Sequence, residues 1–169
     1  MASPVIRFIV SPWGISILHL LVGGLALSAF GSEFFRPLFT FERPADFDHF
    51  REEAGEVLEG LAIILIGYGM ALEEREFFRR KAGLLAAGDP ARQEQLDDSC
   101  HQLGVVLLLL GLFSEIPVSL VEMPNSIFDT SGTEMHMLAL SMGFQLVATI
   151  FLLRHLIKMS PFGRSAAVA

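Results

Sequence analysis

Charged residues are spaced very unevenly along this chain. Residues 8–32 contain no Asp, Glu, Lys or Arg, and residues 135–153 are equally free of them. A helix needs roughly 20 mostly apolar residues to cross about 30 Å of hydrocarbon, so both runs predict transmembrane helices. Two shorter uncharged runs, 60–72 and 102–114, reach that length only by taking in glutamates. The first extends back over 54–59 and includes Glu56 and Glu59; the second runs on to 121 and includes Glu115. The pattern therefore predicts four spans, at 8–31, 54–73, 101–121 and 134–155, joined by an outer loop 32–53 and a cytoplasmic loop 74–100. The expected fold is all-α and integral to the membrane: one domain, a four-transmembrane-helix antiparallel up-down bundle.

Local signals refine this outline. Ser11-Pro12 fits a helix start, a capping hydroxyl followed by proline at the first helical position. Residues 1–10 then form an extended or interfacial lead-in. The first apolar run exceeds the 7–15 residues of a signal-peptide core, and Ala26-Leu27-Ser28 is a poor cleavage site, so a retained helix is expected. In the outer loop, Phe34, Phe35, Phe39, Phe41, Phe47 and Phe50 are too dense for free solvation and should lie on the interface or fold back over the helix ends. Gly88-Asp89-Pro90 is a turn signal in the cytoplasmic loop.

Composition agrees with the pattern. Of 169 residues, 52% are hydrophobic and 18% charged, with a mean hydropathy of +0.53. Soluble domains carry about 25% charge. The net charge of −7 and the lack of a basic stripe exclude a nucleic-acid binder. Cys100 is the one cysteine, so neither a disulfide framework nor a thiolate cluster is available. In a four-span layout, nine of the twelve basic residues fall on the side holding both termini, leaving Arg36, Arg43 and Arg51 opposite. The positive-inside rule makes the first side cytoplasmic, so both termini are inside, and the expected location is the plasma (inner) membrane. Twelve of the nineteen acids partition the other way.

Ionisable groups inside a span are costly and mark functional candidates. Counted from Phe8, His19 lies roughly 16 Å into the first span, near the midplane, and finds no partner at its depth among His49, His101, His136 and His155. Gln145 is also near the midplane. Glu59 and Glu115 reach similar depths, about 8 and 9 Å below the outer surface. Glu56 shares a helix face with Glu59, and His136 lies just below the outer end of the fourth span. Glu56, Glu59, Glu115 and His136 are thus expected around one outward-opening cavity. Carboxylates that close share protons or bind a cation. Pro117 frees a carbonyl near Glu115.

These features predict a small membrane protein that binds a proton or cation, as a transport unit or as a subunit of a membrane complex. Its partners would be the lipid bilayer and a second copy or other membrane subunits, with Gly60, Gly67, Gly104 and Gly111 as close-packing positions. One alternative is a purely structural accessory subunit whose glutamates are interhelical glue. Another is a redox subunit carrying haem or metal. Haem is disfavoured because His101 and His155, both near the cytoplasmic edge, form an awkward pair, and the Glu-x-x-His signature of di-iron bundles is absent. With no phosphate loop and no nucleophile with a matched base, nothing points to catalysis.

Overall fold

A computed structural model describes residues 4–83 and 90–159. The elements are α1 (Pro4–Ile9), α2 (Pro12–Phe30), a 3-10 turn (Glu33–Phe35), α3 (Arg36–Thr40), α4 (Phe47–Glu73), α5 (Arg75–Lys81), α6 (Pro90–Glu122) and α7 (Glu134–Met159). Helices α2, α4, α6 and α7 have 19, 27, 33 and 26 residues and are apolar enough to cross a membrane. At 1.5 Å per residue even the shortest reaches about 28 Å. Their outward faces are apolar as well: Trp13, Leu21, Ile63, Ile150 and Ile157 are all more than half exposed. A face of this kind suits lipid contact, and the chain is a multi-pass membrane protein.

Helix starts follow local chemistry. The Ser11 hydroxyl accepts from the Gly14 amide at 3.0 Å, with Pro12 in the first turn. Of the lead-in before it, Pro4–Ile9 is the short helix α1 rather than extended chain. The turn between α1 and α2 is tight, because a Cβ on Gly14 would fall 1.9 Å from the Phe8 carbonyl oxygen. Asp46 caps α4 through the His49 amide. α4 therefore begins seven residues before the predicted span, and α6 begins at Pro90, eleven before its own. The polar lead-in at 91–99 is helical. Gly88 and Asp89 of the predicted turn lie outside the described residues.

Two apolar clusters hold the bundle. At the phenylalanine-rich end, Phe35, Leu38, Phe47, Phe50 and Leu58 pack with Val118, Val121, Leu138 and Met142. Part of the phenylalanine-rich segment thus folds back over the helix ends, while Phe39 and Phe41 stay exposed. At the histidine end, Ile15, Leu65, Leu72, Leu103, Leu107, Ala148 and Leu152 form the second cluster.

Glycine sets the closest helix approach. A Cβ on Gly104 would lie 2.5 Å from the Glu73 amide nitrogen and 2.6 Å from the Gly69 oxygen, and one on Gly111 would lie 2.7 Å from Ile66 Cγ1. These small residues let the α4 and α6 backbones touch. Gly60 and Gly67 are not used within the bundle, for a Cβ there meets nothing within 4 Å.

Candidate functional site: a buried histidine belt and two polar layers

His19 is fully buried on α2 and His155 is buried on α7. His19 Nε2 lies 2.9 Å from His155 Nδ1, and the rings stack with centroids 5.0 Å apart. Tyr68 of α4 brings its hydroxyl to 2.5 Å from His19 Nδ1, and Ser99 of α6 places Oγ 2.9 Å from His155 Nε2. All four long helices contribute one residue each to this belt.

One proton arrangement satisfies the whole belt. In it His19 Nδ1, 2.8 Å from the Ile15 carbonyl, which can only accept, carries the hydrogen. His19 Nε2 is then bare and accepts from His155 Nδ1–H. His155 Nε2 in turn accepts from the Ser99 hydroxyl. The Tyr68 hydroxyl donates to the Ile15 carbonyl at 3.4 Å. Every ring nitrogen is matched with both imidazoles neutral.

The expectation that His19 has no depth partner is overturned. α2 starts at Pro12, so His19 is seven residues in, about 10 Å, rather than eleven. His155 is four residues from the end of α7, about 6 Å. Two imidazole side chains span the remaining difference. Because they bond one another directly, no coordination position lies between them for haem iron in this geometry.

The second layer lies on α7 around Gln145. Its amide donates to the Leu58 carbonyl at 2.6 Å and to Ser114 Oγ at 2.8 Å. Ser114 Oγ lies 2.9 Å from Ser141 Oγ, and the Thr149 hydroxyl donates to the Gln145 carbonyl at 2.8 Å. Gln145 is fully buried, yet its Oε1 has no partner.

The third layer is acidic. Glu59 is half-buried on α4 and Glu115 half-buried on α6, close enough to interact electrostatically. Glu56 and Glu122 are exposed, and both Glu56 and Glu59 act on Glu122. The Glu122 carboxylate lies over Gly55, where a Cβ would be 3.0 Å from its Oε1. A cleft of about 610 Å³ beside it is lined by Arg51, Glu52, Glu56, Glu122 and Asn125. Glu115 Oε2 is buried without a partner. His136 is exposed and sits against the Phe41 ring, centroids 5.5 Å apart. Glu56, Glu59 and Glu115 are thus brought to one α4–α6 region together with Glu122, which sequence reasoning omitted. Among the described residues, no three His, Cys, Asp or Glu side chains converge to hold a metal ion.

Beyond the end of α4, the buried guanidinium groups of Arg75 and Arg79 both pair with Asp97 of α6. Arg75 also donates through Nε and Nη2 to the Val10 carbonyl, at 3.1 and 2.8 Å. This clamp ties the α1–α2 turn to α5 and α6. Sequence reasoning missed it as well as Tyr68 and Ser99. Tyr68, the chain's one tyrosine, embedded in an uncharged run, was the available signal.

The architecture and its polar interior define a helical membrane protein. Comparison with protein-family models, curated proteins and solved structures gives no match to this chain, so function is argued from geometry.

Proposed function

We propose that this protein handles protons within the membrane, as a small transport unit or as a subunit of a larger membrane complex. The observation that carries the reading is the Tyr68–His19–His155–Ser99 belt. It is a continuous hydrogen-bonded chain of exchangeable groups, reaching from a fully buried imidazole to a half-buried serine. The belt has a second tautomer, in which Tyr68 donates to His19 Nδ1, His19 Nε2–H to His155 Nδ1 and His155 Nε2–H to Ser99 Oγ. Passing from the first to the second takes up one proton at Ser99 and releases one at Tyr68, with only the two hydroxyl hydrogens turning. Glu56, Glu59 and Glu115 form the companion proton- or cation-binding site, with Glu59 and Glu115 half-buried on facing helices.

The two end-to-end apolar clusters support an up-down-up-down order, and the basic-residue bias supports cytoplasmic termini in the plasma membrane. With that orientation the belt lies toward the cytoplasm and the glutamates toward the outside. The exposed Gly60–Gly67 face offers a close-packing surface to a second copy or another membrane subunit.

A purely structural role is the second reading. The Ser114–Ser141–Gln145 layer favours it, since such groups commonly act as interhelical glue. Histidine ¹⁵N resonances and carboxyl infrared bands, followed against pH in lipid, separate the two. Proton handling requires the His19 or His155 tautomer, or a carboxyl band abolished by Glu115→Gln, to change with pH. Invariance of both from pH 5 to 9 would leave the structural reading.

A further inference from the structure

Leu58 and Ser114, the two partners of the Gln145 amide, immediately precede Glu59 and Glu115, so the Gln145 layer abuts the acidic one. The histidine belt is further off. Leu58 to Tyr68 along α4, and Gln145 to His155 along α7, each cover ten residues, about 15 Å. Between Gln145 and His155 the one polar side chain that α7 buries is Thr149, whose hydroxyl donates to the Gln145 carbonyl. From Thr149 to His155 about 9 Å remain. Leu65 of α4, Leu107 of α6, and Ala148 and Leu152 of α7 fill that interval, none more than 2% exposed. α4 and α6 leave no room for water where their backbones touch, at Gly69, Gly104 and Gly111. The face of α7 is the route that stays open to a small polar species.

We infer that the inner face of α7 is the proton path between the glutamates and the histidine belt, with Gln145 and Thr149 as its water-holding groups and Leu65, Leu107 and Leu152 as an apolar gate; the inference rests on the proton reading above. Gln145 is fully buried, and its Nε2 donates to the Leu58 carbonyl, which can only accept. Turning the amide over would set oxygen against oxygen, so Oε1 stays without a donor. A water molecule supplies that hydrogen. The Thr149 oxygen, its own hydrogen committed to the Gln145 carbonyl, accepts from the next water. Leucine and alanine side chains offer no proton site, so beyond Thr149 a proton crosses only on water, a file of about three molecules at hydrogen-bond spacing. Apolar constrictions of this kind close by drying. Leu152 also packs against α2, where a Cβ on Gly23 would lie 3.2 Å from its Cδ2. Gly23 is one turn from His19, so the seam that carries the belt also holds the gate shut.

The test is proton flux into phosphatidylcholine liposomes carrying the full-length protein, read by a trapped pH-sensitive dye under an imposed potential. Leu107→Ser should raise flux about tenfold over the wild type, the scale of one hydrogen bond offered to water in the dry interval. Leu107→Met keeps the gate apolar and should leave flux unchanged. Adding Thr149→Val to Leu107→Ser should return flux to the wild-type level, which a leak from general loosening of the bundle would not do. Leu152→Thr repeats the experiment from α7, and folding of each variant is checked by circular dichroism. Folded gate variants as tight as the wild type overturn the inference, and so does a leak indifferent to Thr149→Val. The unmodified protein gives a reading that needs no variant. In solid-state NMR, magnetisation from water should reach the Gln145 side-chain amide before the Leu107 methyls, and arrival at Gln145 no earlier than at Leu107 overturns the water site. The histidine and carboxyl titrations keep the two claims apart. If they respond to pH while folded Leu107→Ser stays tight, the path fails and proton handling stands; if neither responds, proton handling fails and takes the path with it.

Discussion

Asp97→Asn should be among the most damaging single-atom changes available in this protein. The carboxylate accepts from both Arg75 and Arg79, whose side chains are 3% and 6% exposed. Removing one partner of a buried pair leaves an unmatched charge and costs about 3–5 kcal/mol. Here two guanidinium groups lose their counter-charge together, so the upper half of that range applies. Arg79→Met should cost less, about 1.5–3 kcal/mol, because Asp97 keeps Arg75 and one hydrogen bond to a charged group is lost. Glu76→Gln is the control. Its pair with Arg80 is an i,i+4 contact with both side chains more than half exposed, a class of pair worth below about 0.5 kcal/mol. Combining Asp97→Asn with Arg79→Met leaves one unpaired guanidinium in place of two and should recover part of the loss, a coupling visible in a double-mutant cycle. The assay is reversible unfolding in mixed micelles of dodecyl maltoside and SDS, followed by circular dichroism. If Asp97→Asn costs no more than Glu76→Gln, the clamp does not hold the α1–α2 turn to the bundle. If the double variant is fully additive, Asp97 and Arg79 are not coupled and the argument fails.

Gly104→Val should destabilise by several kcal/mol in the same titration, since even its Cβ would meet α4 backbone at 2.5–2.6 Å, whereas Gly60→Ala should stabilise by up to about 1 kcal/mol through helix propensity. If instead Gly60→Ala weakens a dimer seen in native mass spectrometry from mild detergent, that face is the oligomer contact; a monodisperse monomer without a copurifying subunit would count against any assembly. Hydrogen bonds from Ser131, the hydroxyl first and then the amide at 3.0 Å, hold the Asp129 carboxyl below the usual aspartate value of 3.8. The folded value is depressed, so this turn is fully formed above pH 3.8 and loosens as pH falls through the folded pKa. The Ser131 amide resonance should titrate with a midpoint under 3.8, and a midpoint above it would show that the hydrogen bond is not made.

The four spans were legible because long uncharged runs have few physical explanations. Their ends were not. Hydropathy reports where a helix is apolar, and α4 and α6 continue as polar helices past that limit, capped by Asp46 and starting at Pro90. The histidine pair was hidden for a related reason. Counting depth from Phe8 ignored the cap that Ser11-Pro12 itself announces, and moving the start to Pro12 shifts His19 toward His155. The acidic group was legible on one helix face at a time. Glu122 escaped because its carboxylate folds back over Gly55, a contact between helices that no spacing rule encodes. The Asp97 clamp joins residues 18 and 22 positions apart, outside any local pattern.

The buried polar groups share a bias in kind. The belt is closed, each donor meeting an acceptor. Elsewhere Glu115 Oε2 and Gln145 Oε1 are buried without partners, and both can only accept. The third such atom among the described residues, Thr130 Oγ1, can do either. In hydrocarbon no surrounding solvent supplies the missing donor, so each orphan carries its desolvation cost unrelieved. The interior is therefore short of hydrogens. At Glu115 a proton supplies one directly, converting an unsatisfied acceptor into a donor beside Glu59 and reducing the repulsion between the two. At Gln145 the amide cannot gain a proton, and relief there needs a water molecule or the turning of a neighbouring hydroxyl. That asymmetry is what ties the proton reading to Glu115 and leaves Gln145 to position its neighbours.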